Sequence, residues 1–526
     1  LGSRASRHNK TRRDEMTGTG REPRGTAAMA ERYAARAAEV MAHPEALVSL
    51  GARLGQIAAA KAEATAVTFE DERISWAALH RRSNRIARGL AAKGVRQGDL
   101  VTIALPNGIG FIEVCYGLWK VGATPQPVSS RLPEAELKAI ADLAGGPIVI
   151  GAPFDTGRPS VSVEDLLALS ADESDLAEIF SPSWKAPTSG GSTGRPKLIV
   201  SGASSAATGL MGLVWRIGPD DICLMPGPLY HNGPLITTFA ALEAGAPVVL
   251  MPKFDAEKTL ALIDRHKATW VYMVPTMMGR IWRLPDEVKA KYDISSLKTL
   301  WHLAAPCPPW LKEAWIGWIG PDAVMELYGG TEGIASTILD GNEWRAHRGS
   351  VGRVFGGGEM AAFSPDGVRL PPGETGEIFM RRAEGAPETY RYLGADSKPI
   401  AGGWETIGDI GWLDAEGYLY LADRRTDMIL VGGANVYPAE VEAAIDDHPL
   451  VQSSCVIGLP DEDLGNKVHA IVQAKPGLAE AELLAHLAER LVVYKRPRTI
   501  EFTTEPLRDD AGKVRRSQLR EERLKA

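Results

Sequence analysis

A chain of 526 residues is too long for one ordinary domain, and its 44% hydrophobic and 24% charged residues suit globular domains with sizeable cores. A formal net charge of -7 argues against a general nucleic-acid binder, which needs a basic face. The four cysteines, Cys115, Cys223, Cys307 and Cys455, form no C-x-x-C pair, which fits a reducing compartment without a structural metal and excludes a disulfide scaffold. No uncharged apolar run reaches the length of a membrane span. The opening Leu1–Glu15 reads as a vector remnant or disordered arm, with Met16 a plausible natural start. It has no apolar h-region, so the expected compartment is the cytoplasm.

In chain order, an amphipathic pattern predicts a helix around Ala30–Ala42. A short strand pair follows (Ala66-Val-Thr-Phe, Arg73-Ile-Ser-Trp), then a long helix from Trp76 to Lys93. Asp99–Leu105 is a short apolar run stopped by Pro106, as a buried parallel strand would be. A helix (Ile109–Val121), a strand (Thr124–Val128), a helix (Glu134–Leu143) and a strand (Pro147–Ile150) complete the unit. The same order recurs as strand Asp221–Pro226, helix Leu235–Glu243, strand Gly245–Met251, helix Asp255–Lys267 and strand Thr269–Val274. Both units place a Gly-Ala turn before their second strand (Gly122-Ala123, Gly245-Ala246). Two βαβαβ units predict two similar sheets stacked in one α/β body.

Between the units lies Pro187-Thr-Ser-Gly-Gly-Ser-Thr-Gly-Arg-Pro-Lys197-Leu198. A linker would continue in Gly and Ser, whereas Leu198-Ile-Val-Ser starts a strand at once. Gly190-Gly-Ser192-Thr-Gly194 matches the G-x-S-x-G of a serine hydrolase, but that motif needs a strand-to-helix elbow, and Arg195-Pro196-Lys197 is a poor helix start. A phosphate cradle fits best. Glycines let backbone N–H groups converge on an anion, hydroxyls add donors and Lys197 adds charge. It is not a G-x-x-x-x-G-K-[ST] loop, so the nucleotide is handled by another architecture.

The loop resembles the phosphate-binding signature of the acyl-adenylate-forming superfamily: acyl-CoA synthetases, peptide-synthetase adenylation domains and luciferases. Its companions follow in order: Tyr328-Gly-Gly-Thr331-Glu332-Gly, Gly408-Asp409-Ile-Gly-Trp-Leu-Asp414, Asp423-Arg424-Arg-Thr426-Asp427, Gly432-Gly-Ala-Asn435-Val-Tyr-Pro438, Lys495-Arg-Pro497 and Leu507-Arg-Asp-Asp-Ala-Gly512-Lys513. The likeness runs over roughly 45–522. Pro228-Leu-Tyr230-His231-Asn-Gly-Pro and Glu505-Pro-Leu-Arg-Asp-Asp-Ala-Gly-Lys look like ligases for bile acids, steroid side chains or terpenoid acids.

The resemblance implies an α/β fold: a large N-terminal domain (26–424) of stacked βαβ sheets plus a small distorted barrel, a smaller mobile α+β C-terminal domain (425–526), and an arm or tag over 1–25. It implies ligation of a bulky apolar carboxylic acid to coenzyme A, with ATP consumed, AMP released and Mg²⁺ required. By the same resemblance, Thr188, Ser189, Gly190, Gly191, Ser192, Thr193, Gly194 and Lys197 hold the phosphates. Thr331 binds the α-phosphate and Glu332 the metal. Tyr328 and Ala305 meet adenine, and Asp409 and Arg424 the ribose. Tyr230, His231, Gly329 and Gly330 line the acyl pocket, Gly432, Gly433 and Ala434 the pantetheine path. Thr426 is the hinge, where the family has Asp or Lys, and Lys513 is the adenylation lysine. Ala304-Ala305 replaces a usual Gly-Ala or Gly-Gly pair. Three alternatives stay open: an enzyme taking preformed acyl-adenylate to the thioester only, a stand-alone adenylation enzyme loading a carrier protein, and a serine hydrolase using Ser192. A homo-oligomer is left open.

Overall fold

The computed structural model describes residues 25–190, 196–397, 399–424, 427–431, 434–461, 464–509 and 512–525. Local sequence fixes the first elements. Ser75 caps helix Trp76–Ala92, its hydroxyl accepting the Ala78 N–H at 3.2 Å, and Trp76, Leu79, Ser83, Ile86 and Leu90 recur at helical spacing on the buried face.

The first unit forms a four-stranded parallel sheet in the order Thr124–Pro127, Leu100–Ile103, Val149–Ile150, Ser160–Val161. The second unit repeats that order, with Cys223–Met225 central between Val248–Leu250 and Trp270–Met273. The repeat alone does not reveal how far this second sheet extends. Strand Thr65–Phe69, which precedes the first unit, pairs parallel with Val248–Leu250 and carries Glu72–Ser75 on its outer edge. Thr299–His302, Val324–Gly329, Ser336–Asp340 and Arg353–Phe355 extend the other side to a nine-stranded sheet.

Helices lock the two sheets together. Phe239, on helix Asn232–Ala244 of the second unit, meets Trp119 and Tyr116, on helix Ile109–Lys120 of the first, edge-on at centroid distances of 4.7 and 5.6 Å. One hydrophobic cluster runs through both units and buries Trp76, Trp119, Trp270, Trp301 and Trp315 almost completely. A five-stranded antiparallel sheet (Glu359–Phe363, Gly376–Arg381, Pro399–Ile400, Trp404–Leu413, Leu419–Arg424) follows. The C-terminal segment has its own core, in which Val436, Val441, Ile445, Val456, Val468, Val472, Leu483 and Leu487 pack around the strands Val451–Asp461, Gly465–Ala474 and Thr499–Thr503. A separate core is the physical mark of a separate folding unit.

The Ala304 turn is strained. Its φ is +72°, the left-handed region, and the side chain is exposed, so no packing compensates. Ala304→Gly is expected to raise stability by about 0.5–1 kcal/mol, relief of the Cβ clash outweighing glycine's extra chain entropy. A urea midpoint at or below that of the parent chain would contradict this.

Candidate functional site

The parallel strands of the nine-stranded sheet all end at one edge, and crevices at that edge are where open α/β sheets bind ligands. Pro226–His231 follows Cys223–Met225, Val274–Thr276 follows Trp270–Met273, and Leu303–Ala305 follows Thr299–His302. Val324–Gly329 ends in Tyr328 and Gly329, with Gly330, Thr331 and Glu332 in the turn beyond. Tyr230, His231, Ala305, Tyr328, Gly329, Gly330, Thr331 and Glu332 are therefore gathered along one edge although they span a hundred residues of sequence.

Tyr328 donates its hydroxyl to Asp409 Oδ2 at 2.7 Å, and Asp409 is nearly buried. Asp409 stands directly opposite Arg424 in the antiparallel pairing of Trp404–Leu413 with Leu419–Arg424. Three candidates from three motifs thus share one locus. Gly329 and Gly330 leave room for neighbouring side chains: a Cβ on Gly329 would lie 2.6 Å from Ser336 Oγ, and one on Gly330 2.6 Å from Glu332 Oε2, so either would displace them. Glycine at 330 reserves the place of the Glu332 carboxylate.

The glycine-rich segment is a β-hairpin. Thr188–Gly190 pairs antiparallel with Pro196–Ser201 in the register Thr188 to Leu198, Ser189 to Lys197 and Gly190 to Pro196. Its tip, with Gly191, Ser192, Thr193 and Gly194, lies outside the described residues. The next described element is a strand and not the helix that follows the elbow of a nucleophilic serine. The base is braced from below: Thr102 donates to Gln126 at 2.8 Å, and Gln126 Nε2 donates to Thr188 Oγ1 at 2.9 Å. Lys197 points toward Glu332, with Nζ 3.8 Å from Oε1.

Two residues absent from the sequence reading complete this corner. Tyr392 donates its hydroxyl to Glu332 Oε1 at 2.5 Å, and its ring lies 4.0 Å below the Lys197 ammonium. Burial, then the Glu332 bond, hold its phenol far above the ordinary range, so it stays a proton donor. No motif marks Tyr392; only the register of Tyr390–Leu393 against Pro196–Ser201 brings it here. Lys185, three residues ahead of Thr188, is buried and hydrogen-bonded to Asn232 at the start of helix Asn232–Ala244. Burial pulls its ammonium down to about 7, against the opposing pull of Glu332.

The C-terminal unit delivers Lys513. Gly512 has φ +75°, and a Cβ there would sit 3.0 Å from Thr276 Oγ1 and 3.1 Å from Val274 Cγ2, so the loop tip rests on the carboxyl edge of the large sheet. Asp509 closes the loop by accepting the Lys513 N–H at 2.9 Å on Oδ1 and donating its own N–H to the Lys513 carbonyl at 2.9 Å. Ala434 begins the strand Ala434–Val436, paired with Ile429–Val431. Gly432, Gly433 and Thr426 lie outside the described residues.

Lys513 is close enough to act on His231. Burial first, then the Lys513 charge, lower His231 to about 3, and its buried Nε2 has no hydrogen-bond partner among the described residues. His231 is therefore neutral above about pH 4. Because the folded pKa lies below the unfolded value of about 6.5, the unfolded chain binds the extra proton between pH 6.5 and 3. Stability from this site is full above pH 6.5 and is lost on acidification, by about 2 kcal/mol at pH 5. His231→Gln is expected to flatten this part of the stability–pH curve, as read from urea midpoints at pH 7.5 and 5. An unchanged slope would show that His231 titrates normally.

Among the described residues no group of three or more His, Cys, Asp and Glu side chains could hold a metal ion by itself. Glu332 supplies one carboxylate beside Lys197 and the base of the hairpin, which suits a hard Mg²⁺ shared with substrate phosphates and not a protein cage. No helix among the described residues is long and apolar enough to cross a membrane.

The chain is similar to known proteins along most of its length. The family model for the AMP-binding enzyme matches residues 55–390, and that for the AMP-binding enzyme C-terminal domain matches 440–513. A feruloyl-CoA synthase from an Amycolatopsis species is 32% identical over 479 residues, 87% of this chain and 95% of that one. A CoA ligase from Rhodococcus jostii, named for a methyl-dioxo-octahydroindenyl propanoyl group, is 34% identical over 511 residues, 88% of this chain and 96% of its own. ATP-bound MatB from Rhodopseudomonas palustris superposes with a TM-score of 0.77 at 26% identity, covering 90% of this chain and 98% of MatB. Apo MatB reaches only 0.67, over the same shares at 27% identity. The chain belongs to the AMP-binding enzymes of the acyl-adenylate-forming superfamily, and within it to the AMP-forming acyl-CoA ligases.

Proposed function

We propose that the chain converts a bulky, apolar carboxylic acid to its CoA thioester through an acyl-adenylate, with both half-reactions run at the crevice described above. The observation that carries this reading is the convergence of the Lys513 loop, His231, Glu332 and the Tyr328–Asp409 pair on one edge of the sheet. The apolar acid is supported by the wording of the Pro228–Pro234 segment and by the bicyclic acyl group for which the Rhodococcus relative is named.

In the first half-reaction a substrate carboxylate oxygen bonds to the α-phosphorus of ATP, and the bond from that phosphorus to the bridging oxygen of pyrophosphate breaks. Two anions meet, so the site must gather cations and N–H donors. The hairpin Thr188–Lys197 holds the β- and γ-phosphates, Thr331 the α-phosphate, and Lys513 spans the carboxylate and the α-phosphate. Asp409 and Arg424 take the ribose hydroxyls, Tyr328 and Ala305 flank adenine, and Glu332 is the residue that would hold Mg²⁺. That ion would neutralise phosphate charge when bound. Neutral His231 and Tyr230 wall the acyl side; His231 is not a base. In the second half-reaction the CoA thiolate attacks the acyl carbon and AMP leaves with the electron pair, the thiol arm passing Gly432, Gly433 and Ala434. Lys513 must leave for this, so residues 425–526 rotate about Thr426 against 26–424.

ATP–pyrophosphate exchange against steroid, bile, terpenoid, aryl and fatty acids, paired with mass spectrometry for acyl-CoA, tests the reading. Exchange plus thioester with an apolar polycyclic or terpenoid acid supports it. Exchange with charging of a holo-carrier but no free acyl-CoA would overturn the CoA assignment. Thioester from synthetic acyl-adenylate without exchange by any acid would overturn the first half-reaction.

A further inference from the structure

The C-terminal unit leaves two backbone carbonyls exposed toward the large domain. Asp446 is the last residue of helix Pro438–Asp446, so its carbonyl belongs to the negative, unsatisfied end of that helix. Gln452 lies where the pairing of Val451–Asp461 with Gly465–Ala474 shifts register, between Val451 and Ser453, so no ladder partner faces it. Both carbonyls accept from one side chain of the other domain. Arg283 Nη2 donates to the Asp446 carbonyl at 3.0 Å and Nη1 to the Gln452 carbonyl at 3.5 Å.

Arg283 is the residue after helix Pro275–Trp282, whose second residue, Thr276, supports Gly512. One two-turn helix therefore touches the C-terminal unit at both ends: at the tip of the Lys513 loop and at the Asp446–Gln452 corner. The guanidinium is held from behind by Trp310, 5.3 Å from its ring centroid, so the fork is aimed before the domains meet. The corner is also wired to the lysine loop. Ser454 donates to Asp446 Oδ1 at 2.7 Å, and Arg508 donates to the Ser454 carbonyl at 3.1 Å and the Gly512 carbonyl at 3.2 Å.

Resting on the two-half-reaction reading above, we infer that Arg283 is a positioning residue for adenylation: it clasps the C-terminal unit in the orientation that places Lys513 at the crevice and must let go for thioester formation. The closer superposition on ATP-bound than on apo MatB accords with an orientation used with nucleotide. Arg283 touches no substrate in this scheme; it acts through Asp446, Gln452 and the loop.

The test is Arg283→Met, which keeps the stem against Trp310 and removes the fork, with Arg283→Lys as the conservative variant. ATP–pyrophosphate exchange and thioester formation from synthetic acyl-adenylate plus CoA are measured separately on the full chain, with melting temperature as a fold check. The expected result is a ten- to hundred-fold loss of exchange in the Met variant, a smaller loss in the Lys variant, and thioester formation within two-fold of the parent. Unchanged exchange overturns the inference. Equal loss of both half-reactions also overturns it, because that is what a merely structural arginine would give. A parent chain with no exchange at all would instead fail the functional reading on which the inference rests.

Discussion

Lys513→Ala is expected to lower ATP–pyrophosphate exchange by about 10²–10³, the loss of one preorganised charge contact worth roughly 3–4 kcal/mol at the transition state. Thioester formation from preformed acyl-adenylate should stay within a few-fold, since on this reading Lys513 has left the crevice before the thiolate attacks. The structure gives this variant a clean background. Lys513 is exposed, and the loop's shape depends on the left-handed Gly512 and on the Asp509 backbone and carboxylate contacts, none of which need the lysine side chain. Lys513→Arg should recover only part of the rate, because a broad planar fork replaces a compact ammonium that must bridge two oxygens of different groups. Equal rates for Ala and parent chains would return Lys513 to the rank of a solvated tail residue beside Arg515 and Arg516.

Lys513 illustrates which features a sequence reveals. Its motif is short and contiguous, as are Tyr328–Glu332 and Gly408–Asp409, so each could be read without knowing where the chain goes. Parallel strands were legible for a related reason: burial on both faces makes Leu100–Ile103 and Trp270–Met273 mostly apolar runs without polar alternation. Tyr392 and Lys185 were not legible. Tyr392 reaches Glu332 only through the register of Tyr390–Leu393 on Pro196–Ser201, a pairing across nearly two hundred residues that no local pattern encodes. Lys185 looks like an ordinary surface lysine until Asn232 and the helix it opens cover it. The hairpin shows the converse. Sequence chemistry favoured a phosphate cradle over a hydrolase elbow, and the strand after the tip supplies the geometric reason. The extension of the second sheet by Thr65–Phe69 was invisible too, because a repeat reports its own strands and not which earlier strand its edge recruits.

Lys312→Met is expected to be among the most destabilising changes away from the site, costing about 3–5 kcal/mol. Lys312 is almost wholly buried, hydrogen-bonded to Glu326 and set 5.1 Å over the Trp344 ring. Methionine preserves the length and most of the ring contact, so the loss isolates the charge. What remains is a buried carboxylate with His302 Nδ1 3.7 Å away, an imidazole that burial lowers to about 4 and keeps neutral at working pH. With about 2.1 cal/mol/K of unfolding entropy per residue over roughly 400 residues, the large domain should melt about 4–6 °C lower. The double variant Lys312→Met, Glu326→Gln should recover much of the loss at neutral pH, because the uncompensated charge is gone. Nucleotide binding should weaken along with stability, for Glu326 lies two residues before Tyr328 on the same face of the same strand, and disturbance there reaches the Tyr328–Asp409 bond. A single variant that melts within a degree of the parent would mean that the pair is solvated, and that the burial of Glu326 has no energetic consequence.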